Sequence, residues 1–255
     1  MNSSPQEDAA RLLFAARSSG TPGPRLPESC RPADVAAALA IQHRIDELAG
    51  ASIGGWKCSV PSAARPILAA PIWNEAIARS SPARLPAHAG IAKIEPEVAF
   101  VIGRDLTRST GPYHEAEVRA AIAETRLVLE LVASRYADPS ACTFPESLAD
   151  HVSNYGLFVG PVVANGVDAP LERIAMEITT PNGTLLRMEG VHPDGHPLKP
   201  LFWLASYLAG RGTPLRAGQI VTTGSYVGLV EAPVGVPLSV HYGDLGKLTV
   251  QLEAV

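Results

Sequence analysis

Two glutamates, Glu95 and Glu97, stand one residue apart in AKIEPEVAFVIGRDL, residues 92–106, a run that is otherwise largely apolar. A carboxylate withdrawn from water costs several kcal/mol unless something compensates it, and two neighbouring carboxylates raise each other's pKa. In a strand, residues i and i+2 share a face at a spacing of roughly 6 to 7 Å, so this pair can reach one cation. A second apolar run, RLVLELVAS, holds a single acid, Glu130, between Leu129 and Leu131. Three such glutamates, with no cysteine or paired histidine beside them, make an oxygen-only donor set suited to Mg²⁺ or Mn²⁺ with positions left for water or substrate. Pro96 between the first two predicts an edge strand or a bulge. Two exposed glutamates on such an edge are the plain alternative to a metal site.

Other residues able to do chemistry are fewer. Lys57 in GGWKCSV has apolar neighbours and reads as a cationic partner or proton-transfer group whose pKa burial lowers, or else as an ordinary solvated lysine. Asp150, His151 and Ser153 in LADHVSNYG lie in a polar break before a strand, where they can face a site or simply cap a turn. His192 and His196 in HPDGH are four apart, but the Pro and Gly between them prevent a helical zinc pair. The TTGS segment at 222–225 can offer amides to an anion or form a plain turn. A GxSxG elbow, a P-loop and a GxGxxG fingerprint are all absent.

The elements that position these residues follow from periodicity. Residues 6–18 and 33–48 have helical spacing and are separated by a Pro/Gly/Ser connector, with Asp34 placed to cap the second helix. A short strand follows at 53–60, and residues 61–90, rich in Pro, Ala and Ser, read as a long loop or lid. Beyond them the pattern predicts a strand over 92–106, a helix over 114–126, strands in LVLELVASRY and GLFVGPVV, and a hairpin over about 171–190. A helix over 198–212, closed by Gly210 or Gly212, and three final strands complete the chain. The expected fold is α+β: a small N-terminal helical segment with the first strand over 1–60, then a β-rich metal-binding domain over 61–255.

Composition bounds the function. With 255 residues, 46% of them hydrophobic, and a net charge of −4, the chain can bury a sizeable core and lacks the basic surface that phosphate recognition needs. Nucleic acid is therefore not an expected partner. No apolar stretch approaches the roughly 20 residues that span a bilayer, and the N-terminus lacks the basic and apolar regions of a signal peptide. Three widely spaced cysteines imply no disulfide framework. A cytoplasmic protein with a small-molecule partner is expected.

In order and spacing, KIEPEVAFVIGRDL, VLELVASRY, DHVSNYGLFVG and GHPLKPLFWLASYLAGRGTPLRAGQIVTTGS resemble the 2-keto-4-pentenoate hydratase and 4-oxalocrotonate decarboxylase group of the fumarylacetoacetate hydrolase superfamily. The resemblance runs from about residue 6 to the C-terminus. It implies a mixed β-sheet roll or barrel-like domain, a homo-oligomer, and a Mg²⁺ or Mn²⁺ ion on Glu95, Glu97 and Glu130. A Glu at the third position looks like the hydratase and decarboxylase branch, and the hydrolases' His-Glu pair has no counterpart here. Lys57 matches the family's lysine, and Asp150, His151 and Ser153 match its DNAS-like segment, with His151 in place of the Asn. Pro71, in LAAPIW, stands where the family's lid carries an acid. The activity implied is hydration of a 2-hydroxy-dienoate or 2-oxo-alkenoate to a 4-hydroxy-2-oxo acid. Decarboxylation or tautomerisation of a 2-oxo acid, or a non-catalytic metal-binding role, are the alternatives.

Overall fold

The computed structural model describes residues 4–107 and 111–255. Helix α1, Pro5–Ser19, begins where the Ser4 side chain accepts the Glu7 N–H and ends on left-handed Gly20. Helix α2, Val35–Ala49, is capped by Asp34, which accepts from Ala37 N–H, and closes on left-handed Gly50. Both helices bury small apolar faces, Ala9, Ala10 and Leu13 against Ala38, Ile41 and Ile45, in a cluster that also contains Trp73, Tyr136 and Leu148 from the later chain.

Strands β1 (Ile53–Ser59), β2 (Leu68–Trp73), β3 (Ile77–Ala78) and β4 (Ala83–Leu85) follow. Residues 61–90 are therefore not the single long loop expected. LAAPIW is a strand buried along its whole length, and such strands lose the alternation that betrays half-buried ones. Pro71 is tolerated because β2 has one strand neighbour only, β1. Next come β5 (Ile91–Ile102), a short α3 (Glu115–Arg119) and β6 (Ile122–Val132). The helix expected over 114–126 thus stops early. Pairing of β6 with β5 over ten register positions outweighs the helical preference of AAIAE.

The remainder is α4 (Phe144–Ala149), β7 (Asn154–Val162), the hairpin β8 (Arg173–Thr180) and β9 (Gly183–Val191), α5 (Leu198–Gly210), β10 (Ile220–Thr222), β11 (Val230–Pro233), β12 (Pro237–Tyr242) and β13 (Lys247–Ala254). Strand β11 falls outside the expected set, and Gly212, at φ +75°, is the glycine that ends the α5 region. One mixed sheet has the order β2-β1-β10-β5-β6-β7-β3, with β11 also on β5, and a second has the order β4-β13-β12-β8-β9. The main core, with Phe100, Leu129, Leu201 and Val250, draws on both sheets and α5. On the other face of the first sheet, Ile72 of β2 and Leu157 and Val159 of β7 share one cluster with Ala99, Val128 and Ile220. Strands near opposite ends of the order meet there, so the sheet curls with that face inside. This is the roll expected from the resemblance. No helix among the described residues is long and apolar enough to cross a membrane.

Candidate metal centre

Strand β5 is central rather than an edge, which corrects the expectation drawn from Pro96. Its neighbour β10 covers Ala99–Val101 and β11 covers Ile91–Ile94, leaving a gap opposite Pro96. The Tyr226 N–H and the Ser225 hydroxyl donate to the Pro96 carbonyl from the loop that fills this gap, at 3.3 and 3.2 Å. In an extended strand a residue's N and C=O point the same way, so the proline's missing N–H faces the gap and breaks no ladder bond.

Alternation then turns Glu95 and Glu97 into the curl, on the face of Ala99. Glu130 is the cross-strand partner of Glu95. One oxygen from each of the three carboxylates lies within 4.8 Å of the others. Lys57 on β1 pairs with Thr222 on β10 and points to the same side, its Nζ 2.7 Å from Glu130 Oε1. The Asn154 amide donates to that same oxygen at 2.9 Å, while Glu130 Oε2, also buried, has no hydrogen-bond partner. Oε2 of Glu97 accepts from the Thr222 hydroxyl and, at 2.8 Å, from Gly224 N–H. The TTGS segment therefore holds a carboxylate of the protein itself.

Burial, with the Glu130 and Glu95 charges, pushes the Glu97 carboxyl up to about 8. Glu95 is raised by burial and by Glu130, against the pull of Lys57. For Lys57 burial acts downward, but Glu130 and Glu95 outweigh it, and the ammonium is held above its ordinary value. That reverses the lowered pKa expected from its apolar sequence neighbours. One lysine stands beside three acids, Glu97 and Glu130 buried and Glu95 partly so, and one buried carboxylate oxygen is left without a partner; an oxygen-binding divalent cation fits that donor set.

Asp150, His151 and Ser153 lie around this cluster in a different way from the acids. The Asp150 carboxylate is engaged by Arg135, accepting from its Nε and, at 3.1 Å, from its backbone N–H, with the Ser134 hydroxyl as a third donor. His151 Nε2 lies 3.0 Å from Asp46 Oδ1 on α2, and burial pulls the imidazole down despite that carboxylate. His151, Val152 and Ser153 all have positive φ, at 52, 51 and 60°, a conformation costing non-glycine residues on the order of 1 to 3 kcal/mol each. The strained turn points the Val152 carbonyl at Lys57, which donates to it at 3.2 Å. His192 and His196 do not form a metal pair: His192 Nδ1 accepts from Asp194 N–H and His196 Nδ1 from Leu198 N–H.

Several residues that sequence reasoning missed hold this turn. Arg135 brackets it by donating to the Asp150 carbonyl and, at 2.7 Å, to the Asn154 carbonyl. Arg17 of α1 donates to the Asn154 and Tyr155 carbonyls at 2.8 Å each and stacks 4.0 Å over the Trp73 ring. Only spacing across 15 to 138 residues connects these groups, so no local pattern marks them. At the lid position, Ala70 is the residue facing Lys57 across the strand pair, and Pro71 pairs with Trp56 on the opposite face.

A curled mixed sheet carries on its inner face three acids whose oxygens are close enough to share one metal ion, with one lysine bonded to Glu130. Residues 43–253 match the fumarylacetoacetate hydrolase C-terminal family. The chain belongs to that family. It is 32% identical over 253 residues to the 2-keto-4-pentenoate hydratase of Paraburkholderia phymatum, covering 94% of each chain. The 4-oxalocrotonate decarboxylase of Pseudomonas putida is 30% identical over 159 residues, 62% of this chain and 58% of that one. Among solved structures, 4-oxalocrotonate decarboxylase from Pseudomonas putida G7, complexed with calcium and acetate, superimposes with a TM-score of 0.78 at 22% identity over 97% of both chains. Its complex with magnesium and adipate gives the same TM-score.

Proposed function

We propose that this protein is a metal-dependent hydro-lyase that adds water to a 2-hydroxy-dienoate, giving a 4-hydroxy-2-oxo acid. The observation that carries the reading is the cluster of Glu95 with the buried Glu97 and Glu130, the orphaned Glu130 Oε2 and the lysine bonded to Glu130. A full-length relative bearing a hydratase name supports the reaction type. Glu95, Glu97 and Glu130 would hold Mg²⁺ or Mn²⁺, in keeping with the magnesium complex of the fold neighbour. When bound, the ion supplies a Lewis acid that polarises the substrate's 1-carboxylate and 2-oxygen.

Lys57 carries its proton at Nζ, raised and fixed by Glu130. It hands that proton to the terminal substrate carbon and recovers one from the 2-hydroxyl, which turns the dienol into an α,β-unsaturated ketone ready for water. Asp150, through Arg135, and His151, through Asp46, position the turn that aims the Val152 carbonyl at the lysine, and Ser153, next in the turn, would orient water or the distal end of the substrate. Lys93 and Val132, the next residues outward on the faces of Glu95 and Glu130, line a cavity of about 670 Å³ that gives room for the substrate's distal end. Three free cysteines suit a reducing cytoplasm, and the working form is a homo-oligomer.

Ala70 opposite Lys57 favours a second reading, decarboxylation of a 2-oxo acid, because that reaction needs an electron sink but no acid on the lid strand. The test is ultraviolet decay of 2-hydroxypenta-2,4-dienoate with Mg²⁺ or Mn²⁺, with and without EDTA, and mass analysis of the product. Metal-dependent formation of the 4-hydroxy-2-oxo acid is expected. Metal-dependent CO₂ release from 2-oxohex-3-enedioate without hydration would replace the hydratase by the decarboxylase.

A further inference from the structure

The second sheet ends on β9, and among the described residues no strand lies on its outer edge. His192 N–H bonds to the Glu172 carbonyl on the β8 side, so by alternation the N–H and C=O groups of Arg187 and Glu189 point outward. At one end of that edge the Val191 N–H is already taken by the Tyr226 carbonyl. Leu185, Met188 and Val191 of this one strand are 42, 47 and 43% exposed. Met188 is in register with Met176, which is 1% exposed and part of the main core, so the core face of the sheet runs out into solvent at Met188. Native edges are commonly blunted by lysine or proline, and GTLLRMEGV contains neither.

We propose that β9 pairs antiparallel with β9 of a second copy of this chain across a twofold axis at Met188. The charges select this register. With the axis at 188, Arg187 of each copy faces Glu189 of the other and Met188 faces itself, and the pairing stops short of Gly190 and Val191, where Tyr226 already covers the edge. Moving the axis to 187 or 189 sets Arg against Arg or Glu against Glu, which is unfavourable for residues directly opposed. Arg187 and Glu189 of the two copies then exchange backbone hydrogen bonds as well. Arg187, 73% exposed while it bonds Glu177, retains guanidinium donors for the new partner. This pairing rests on the homo-oligomer proposed above and adds which edge joins two subunits, independently of the metal and the reaction.

The test is sedimentation velocity of the full chain at micromolar concentration, with circular dichroism to check that each variant is folded. Wild type is expected to associate, Glu189→Arg to lose that association step, and Arg187→Glu with Glu189→Arg to regain it. In a Cys142→Ser background, Met188→Cys is expected to give a covalent dimer on oxidation with copper phenanthroline. Residues facing across a non-hydrogen-bonded antiparallel pair have Cα atoms about 4.5 Å apart, within disulfide range. Thr184→Cys, four residues off the axis and beyond the bulge in β9, is expected to give none. A monomeric wild type would overturn both this pairing and the homo-oligomer. An oligomer unchanged by Glu189→Arg and not cross-linked through residue 188 would overturn the β9 pairing alone.

Discussion

Replacing Glu97 by glutamine separates the metal role proposed for this residue from any structural one. The side chain is 2% exposed, and burial with two neighbouring acids lifts its carboxyl from an ordinary 4.5 to about 8. Without metal at pH 7 the group is therefore mostly protonated, and an amide is close to isosteric with it. The amide oxygen can still accept from Thr222 and Gly224, the donors on Oε2. The interval from 4.5 to about 8 corresponds to about 5 kcal/mol in favour of the protonated form. Because the folded value is raised, this stability is present in full below the unfolded value near 4.5 and is lost as pH climbs through about 8. Metal-free wild type should lose stability over that window, and Glu97→Gln should lose much less.

The cation reverses the comparison. Below pH 8 it must displace a proton from Glu97, so wild-type affinity should rise by up to about tenfold per pH unit until that point. A ligand at a hundred times its Kd adds about 2.7 kcal/mol, and a chain of this size gains about 2 to 4 °C in Tm for each kcal/mol. Saturating Mg²⁺ or Mn²⁺ should thus raise wild-type Tm by roughly 5 to 10 °C, and leave Glu97→Gln nearly unmoved. Thermal melts from pH 5 to 9, with metal and with EDTA, test both halves. An equal metal shift in the variant, or pH-independent affinity in wild type, would refute the reasoning.

Lys57→Met leaves Glu130 buried with no cation beside it, so metal-free stability should fall by about 3 kcal/mol in urea, with Mg²⁺ restoring much of the loss and turnover abolished at any metal concentration. Glu146 tests the opposite pH sign: burial pushes its carboxyl up, but the Arg25 fork and Thr143 outweigh it and hold the group at about 2. Its contribution of about 3 kcal/mol is present above pH 4.5 and lost as pH falls toward 2, and an acid titration of stability on Glu146→Gln should show that window flattened. Gly55→Ala would set a Cβ 2.4 Å from the Ile220 carbonyl oxygen at the β1–β10 pairing, lowering Tm by roughly 5 to 10 °C. An unchanged melt would mean that this strand pair gives way more easily than its geometry implies.

What could be read from the sequence is whatever one strand or one helix states by itself. Helical spacing announces the two N-terminal helices, and Asp34 announces the start of the second through its cap. The three acids stand out because charges in otherwise apolar strands are costly, though the sequence alone left exposed edge-strand glutamates as the alternative. Strand β2 was hidden because LAAPIW is buried throughout and so shows no period. Pro96 misled for a related reason, since whether a proline breaks a ladder depends on where β10 and β11 stop, over 120 residues away. The direction of the Lys57 shift depends on Glu130, 73 residues distant, and not on Trp56 and Cys58 beside it.

The turn at residues 151–153 shows why positions of this kind escape sequence reasoning and what the strain achieves. Histidine, valine and serine are poor choices for left-handed backbone, valine most of all, so nothing local predicts three in succession. The conformation is held from outside, by Arg135 bonding the carbonyls on either side of the turn and by Arg17 supporting the Asn154 end. An ammonium has three N–H donors, and at Lys57 one goes to Glu130 and one to the Val152 carbonyl. Two fixed acceptors determine where the third donor points, which they could not do if Val152 were free to relax. The strain at 151–153 thus fixes the direction of the lysine's third N–H, the proton that the proposed reaction would move, and the arginines that maintain the turn act on the lysine without touching it.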